Sequence, residues 1–508
     1  MYLRAISWDR WTHLDERTPV IVGVGVASQR VDDPGEGVGA LALMLEATRR
    51  AGDDCGTPDL LAGAGLVSIP EGSWSYADPG GYIAAEIGAP TARTVILKAG
   101  IPQQTLFDEA YRAVVDGTHD VVVIVGGEAA RRAALARRAG VEPADGLDGA
   151  GEPDERREPE GEIVSALELQ AGLWTPVQQY ALIDSALRFA EGRSVAEHRD
   201  DIAALCAGYS RVASGFEHAE HRDALPAAVI REPGPGNRAM SFPYNKWHCS
   251  QMHVDQAAAV LVTSLGTARA AGADPSRVVF PLVALESSAA VPVIRRRDLH
   301  RWPAMRVLGE AAAEHLGAPL HAIGHVEVYS CFPAAVRVQQ RELGLPLDDV
   351  PTITGGEPFA GGPWNNFVLQ ATAAMVDRLR TDRGSLGMVT TVSGFLTKPG
   401  LAVYSTEPGT RPVLVADLAT DAAGATPVVP VAVDHRGPAT IAACTVSFER
   451  DGDRRVIALV DTPAGERWLT FSHDPAVAER AMDEELIGTD IQVDGFEFRI
   501  ERAHRSAS

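Results

Sequence analysis

The chain is poor in cysteine. Its five, Cys55, Cys206, Cys249, Cys331 and Cys444, are scattered through 508 residues and form no CxxC pair. That argues against a disulfide framework or a zinc site and fits a reducing compartment. Positive charge is also scarce, with 46 Lys and Arg against 68 Asp and Glu and a net charge of -22. Nucleic acid is therefore not an expected partner, because phosphate backbones call for clustered Lys and Arg. A phosphorylated cofactor stays open, since it needs only a local basic or N–H-lined pocket. Long apolar runs are missing as well. The strongest, Val121 to Val125, is far too short to span a bilayer. The opening MYLRAISWDRWTHLDERTP lacks an apolar signal core, and the end AHRSAS carries no lipidation or retention signal. A cytoplasmic location is expected.

What is present is ample core material, 45% hydrophobic against 22% charged, in a chain long enough for about three domains at ~150 residues each. PVIVGVGVA (19–27) predicts a buried strand, and GALALMLEATRRAG a helix ending at Gly52. LLAGAGLVSIPE reads as a strand, YIAAEIGA as a helix and TVILK as a strand. AGIPQQTLFDEAYRAVVDG is a helix, and DVVVIVGGEA a strand running into a Gly-Gly turn. Strands alternating with helices predict a layered α/β fold with parallel pairing.

From about Arg131 to Ala239 the pattern becomes helical. It includes GVEPADGLDGAGEPDERREPEGE, which reads as a solvated acidic insertion. After DPSRVVFPLVALES the alternation resumes. HVEVYSCFP is a strand running into a loop, TGGEPFAGGPWNN a Gly-rich loop, and GMVTTVSGFLTKPGLAVYS a hairpin. The order of elements in Lys98–Gly127 and Gly355–Gly394 hints at internal duplication. Beyond Ser405, PVVPVAVD, ATIAACTVSFE, RVIALVD, RWLTFS and IQVDGFEFRI predict a small β-rich domain, plausibly a barrel. Asp451-Gly452 falls at a hairpin tip there.

Several stretches, in order, resemble the thiolase superfamily, and more closely its thiolase-like proteins of type 1. They are RTPVIVGVG, WSYADPGGYIAAEIGA, PQQTLFDEA, HVEVYSCFP, TGGEPFAGGPWNN and SGFLTKPGLAVYS. The resemblance implies a duplicated thiolase fold. Its expected parts are an N-terminal half over 17–270, with a helical loop subdomain at about 130–245, a C-terminal half over 275–406, and an additional β-rich, OB-like domain over 410–508. It also implies an acyltransferase-like protein of lipid metabolism that uses coenzyme A or acyl-CoA as substrate, with no tightly bound cofactor and no metal. A homodimer or a partner subunit is the implied assembly.

The residues depart from the family's catalytic set. Gly100 or Ile101 stands where the resemblance implies a nucleophilic Cys, and Tyr329 where it implies an Asn. Gly362 replaces the His of the G-H-P loop, and Val392 the Cys of the C-x-G loop. Cys331 in YSCF resembles the acid/base Cys of the H-D-C-F loop in sterol-carrier-type thiolases. A helix N-terminus would favour its thiolate, while a buried inert thiol is the competing reading.

His248 and the Ser250–Gln251 pair fall where the family lines its pantetheine channel, and loop packing is the alternative. Asn366 and Asn365 start a helix, one to cap it and one to donate to a carbonyl. Gly361, Gly362 and Ser393 complete the expected ligand-binding set. The Gly-rich loop lacks a nucleotide-loop ending. His325 is expected to be structural, and Lys398 an exposed hairpin lysine. Two functions compete: an acyl-CoA enzyme with a non-standard site, and an inactive acyl-CoA-binding or partner-binding scaffold.

Overall fold

The computed structural model describes residues 6–141, 151–449 and 452–500. The acidic insertion is thus described only in part, and Asp451 and the AHRSAS end lie outside the described residues.

Two sheets carry the main body. In the first, Leu66–Pro70 runs parallel to Val121–Ala129. That strand is antiparallel to Asp255–Ser264, which is antiparallel in turn to Pro19–Gln29. In the second, His325–Glu327 runs parallel to Leu386–Ser393, followed by antiparallel Lys398–Ser405 and antiparallel Phe280–Glu286. The same four-strand order and the same strand directions occur twice, so the duplication is present in the topology. Helices Gln104–Val115 and Phe367–Thr381 each touch strands of both sheets. Their buried residues, among them Phe107, Tyr111, Leu369 and Met375, join the two sheets into one core.

Several local expectations are corrected. Helix Ala40–Asp54 runs through Gly52. The LLAG stretch is a 3-10 turn (Pro58–Gly63), and only Leu66–Pro70 is strand. The Gly-rich loop contains a one-turn helix, Gly356–Phe359. Within the acidic insertion, Glu155–Arg157 is a strand that adds in parallel to Arg93–Leu97 at the edge of the first sheet. Its charges are taken up by neighbours: Glu155 pairs with Arg93, and Arg157 with Glu109.

The helical segment is built on strong starts. Ser165 with Glu168, and Ser194 with Glu197, form capping boxes, each satisfying two otherwise orphaned N–H groups. Helix Pro176–Ala190 packs on helix Pro333–Glu342 of the second half and on the C-terminal strand Arg436–Phe448.

In the C-terminal region the pairings close on themselves. Arg436–Phe448 pairs with Arg454–Asp461, which pairs with Arg467–Ser472, then Glu497–Arg499, then Asp490–Asp494, and so back to Arg436–Phe448. A closed five-stranded ring with its own core around Val446, Val456, Trp468 and Val493 is an OB-like barrel. PVVPVAVD is not a strand and makes only isolated bridges, because Pro427 and Pro430 bring no N–H to a ladder. Leu414–Asp417, on the far side of the expected boundary at 410, pairs with Phe280–Glu286 and so extends the second sheet. Among the described residues no helix is long and apolar enough to cross a membrane.

Candidate functional site

Loops from both halves and from the helical segment meet around a cavity of about 310 Å³. Gly100, Tyr329, Gly362 and Val392 all line it, together with Cys331, Ser250 and Ser393. Four stretches far apart in sequence are thus brought to one place.

Gly100 sits in a crowded turn. Its φ of 103° suits glycine, and a Cβ there would meet Pro159 at 3.0 Å and Ile163 at 3.2 Å. Lys398 fixes the same loop. It is buried, against expectation, and its Nζ donates to the Gly100 carbonyl at 3.1 Å and the Glu160 carbonyl at 2.6 Å.

Cys331 faces the cavity but is not poised as a thiolate. Burial pushes its pKa well up, the Glu357 carboxyl pushes it further, and hydrogen bonds from Tyr180 and the backbone only partly oppose them. The expected help from the helix is weak because Cys331 precedes Phe332, the N-cap of Pro333–Glu342, and helix-end effects fade within a turn. Tyr180 sets the wall beside it. Its hydroxyl donates to the Gly394 carbonyl (3.1 Å) and accepts from the Leu396 N–H (3.3 Å), while its ring stacks on Phe332 at 4.6 Å.

His248 is not at the cavity. Its Nδ1 accepts the Asn245 N–H at 3.0 Å, closing a local turn, and burial pushes its pKa down to about 3. It is a neutral packing group there. Gln251 turns its amide back onto the Lys246 and Cys249 carbonyls. Its backbone does the positioning: the Gln251 N–H reaches the Glu357 carbonyl, the Gly362 N–H reaches the Gln251 carbonyl, and the Ser250 N–H reaches the Cys331 carbonyl. Asn366 is buried against Gly126, and neither of its amide atoms has a partner. The helix start that one of Asn365 and Asn366 was expected to cap is served by Gln103, whose Oε1 accepts from the Val368 N–H at 2.9 Å. Asn365 lines the cavity; Asn366 does not. Gly361 packs against Gln256, also away from the cavity. His325 pairs with Asp382 at 2.8 Å.

One group escaped the sequence reading. Glu357 is 2% exposed and is the only carboxyl among the cavity's lining residues. Its Oε1 accepts from the Ser330 N–H (3.3 Å), and Ser250 hydrogen-bonds the same carboxyl. Burial raises its pKa to about 8, which those two hydrogen bonds oppose. The available signal was an acid inside an otherwise apolar Gly-rich loop, a place where a charge is costly unless it is used.

A second space of about 580 Å³ adjoins the cavity and shares Met240, Cys249, Ser250 and Met252 with it. Arg131, Arg138, Arg238, Lys246, His221 and His253 line this cleft. Arg131 is engaged by Asp32 and Glu220. Among the described residues Arg138, Arg238 and Lys246 form no ion pair. His221 lies beside this charge. Burial, and then Lys246, Arg30 and Arg131, push its pKa down to about 4.

Comparison with known proteins agrees with this architecture. Residues 420–495 match the family described as the thiolase-like protein type 1 additional C-terminal domain. A monomeric SCP2-thiolase-like protein type 1 from Mycobacterium smegmatis is 26% identical, over 96% of this chain and 100% of that one, with a TM-score of 0.81. The dimeric peroxisomal thiolase of Saccharomyces cerevisiae is 14% identical over 78% of this chain and all of its own, with a TM-score of 0.56. An Ltp2-ChsH2(DUF35) aldolase is 18% identical over 77% of this chain and 98% of its own, at 0.57. No curated protein matches the chain. The two halves therefore have the thiolase fold. Residues 420–495 thus carry that additional C-terminal domain, and the chain as a whole is similar to the mycobacterial SCP2-thiolase-like protein type 1.

Proposed function

We propose that this protein binds a CoA thioester and acts on it without a covalent cysteine intermediate. The observation that carries the reading is the adjacency of the two spaces, which share four lining residues. A basic cleft in an otherwise acidic protein suits the phosphates of coenzyme A. The mostly apolar cavity that it adjoins suits the thioester and acyl chain. Loss of the nucleophile is supported by the crowding at Gly100 and by the protonated state of Cys331. The thiolase positions at 100 or 101, 329, 362 and 392 hold other residues, so chemistry by the usual Cys/Asn/His/Cys set is not part of the proposal.

Those same losses favour a second reading, a binder without turnover. Assembly as a monomer is part of the proposal. The first sheet's outer edge is covered by Glu155–Arg157, which blunts strand addition there, and the related mycobacterial protein is described as monomeric.

Calorimetric titration tests the binding reading, with butyryl-CoA compared against the N-acetylcysteamine thioester of the same acid, which lacks phosphate. Arg238→Ala with Lys246→Ala is expected to weaken butyryl-CoA about tenfold or more while leaving the phosphate-free thioester unchanged. Each lost charge-assisted contact is worth on the order of 1 kcal/mol or more. Butyryl-CoA binding that ignores both substitutions and salt would overturn the assignment of the cleft.

A further inference from the structure

We propose that Glu357, held by Ser250 beside Gly362, is the proton-transfer group of this cavity, acting on the carbon next to a thioester carbonyl. The inference rests on the acyl-CoA reading above and adds a residue and a step to it.

The geometry comes first. A Cβ at Gly362 would lie 1.9 Å from Ser250 Oγ and 3.1 Å from Glu357 Oε2. The space that a larger residue at 362 would claim is therefore occupied by a serine hydroxyl and a carboxyl. Glu357 makes no ion pair among the described residues, so its charge is not neutralised by a fixed cation. Other buried acids are engaged within the fold, away from the cavity. Glu327 is equally buried, but the Thr352 hydroxyl (2.7 Å), the Ile353 N–H (2.8 Å) and the Thr354 N–H (3.0 Å) occupy both its oxygens. Asp184 is spent on His198 at 2.7 Å. Glu357 alone brings a carboxyl to the cavity wall, where the Asn365 amide and Tyr329 phenol offer donors for a developing oxyanion. A carboxyl raised to about 8 is matched to moving protons near neutral pH.

In the step, the Glu357 carboxylate takes the proton of the α C–H bond. The electron pair of that bond forms the C=C of an enolate, whose charge sits on the thioester oxygen. Glu357 is left as the neutral acid and returns a proton to the same carbon. No oxidant, reductant or second substrate takes part.

The test is deuterium incorporation at the α carbon of butyryl-CoA in D2O, followed by mass spectrometry with the full-length protein, beside calorimetric binding of the same ligand. The wild type is expected to catalyse exchange that rises with pH through about 8. Glu357→Gln should bind butyryl-CoA within about threefold of wild type yet lose about a hundredfold or more in exchange. Glu357→Asp, which keeps the acid on a shorter arm, should fall between them. Failure of the wild type to bind butyryl-CoA overturns the acyl-CoA reading itself. Binding without exchange, exchange with no inflection near pH 8, or Glu357→Gln exchanging at the wild-type rate overturns this proposal alone.

Discussion

Replacing Glu357 by Gln is expected to make the protein more stable in alkali, because the native state holds that carboxyl in a form the unfolded chain gives up. The ordinary glutamate value of 4.5 is raised to about 8 by burial. Between those two values the folded protein carries a proton that the unfolded chain has released, so stability falls as pH rises across the window. At ~1.36 kcal/mol per pH unit, full passage costs at most about 5 kcal/mol. Gln never ionises. It gives back about 1 kcal/mol through poorer hydrogen bonding to Ser250 and the Ser330 N–H, leaving a net gain of roughly 2–4 kcal/mol above pH 8 and a small loss below pH 5. Urea unfolding of both proteins at pH 5.5 and pH 9, compared as midpoints at each pH, reads this directly. The variant is expected to unfold at nearly the same urea concentration at pH 5.5 and later at pH 9. Glu327→Gln is the control. It is also raised, to about 7, but three donors point at its oxygens, and an amide NH2 facing any of them leaves a buried donor unpaired. By the same arithmetic its ionisation costs at most about 3 kcal/mol, so its gain between pH 5.5 and pH 9 should be smaller than that of Glu357→Gln. A Glu357→Gln advantage that does not grow between pH 5.5 and pH 9 would refute the reasoning, since the penalty would then not come from ionisation.

Gly362→Ala should cost about 1–3 kcal/mol, because Ser250 must swing off Glu357 to admit the methyl; adding Ser250→Ala should recover part of that loss, and additive midpoints in the four-member set would show that the two do not touch. Ser250→Ala alone removes a hydrogen bond that lowers the Glu357 pKa, so the pH profile of α-proton exchange should move to higher pH, and a shift downward would contradict that role. Tyr180→Phe strands the Leu396 N–H and the Gly394 carbonyl, and a thermal scan should show a loss of ~1–3 kcal/mol. Sedimentation should give a single species near the chain mass of 53.9 kDa; a dimer at micromolar concentration would contradict the covered sheet edge.

Most of the fold was legible because it rests on local patterns. β-branched runs ending in Gly-Gly marked Val121–Ala129, and the Gly-containing apolar run at 386–405 marked the hairpin. The ordered motifs carried the thiolase resemblance. The misreadings share a cause: partners distant in sequence. Glu155–Arg157 looks like solvated charge until Arg93 and Glu109 are seen beside it. Lys398 looks exposed until the Gly100 loop is folded over it. Asn366 sits at a helix start, as its position predicts, but Gln103 from the other half does the capping. At the site, motif positions located the cavity through Gly100, Tyr329, Gly362 and Val392, yet its only carboxyl went unnoticed. Proximity of Glu357 to Ser250 spans more than a hundred residues of chain, and no local period encodes it.

A single stretch, Glu155–Ile163, links two departures from a working thiolase that look independent in the sequence. Its first residues pair with Arg93–Leu97 and occupy the sheet edge. Its later ones, Pro159 and Ile163, fill the space that a side chain at Gly100 would need, while the Glu160 carbonyl helps hold Lys398 over the same loop. Covering the edge and closing the nucleophile's place are thus consequences of one chain path. A cysteine placed at position 100 would meet both a left-handed backbone and packed neighbours, and the alternative position, Ile101, is itself buried. Among the groups lining the cavity are the thiol of Cys331 and the acid of Glu357. Burial raises the pKa of both, and under the proposal above it is Glu357, beside Ser250 and Gly362, that moves the proton.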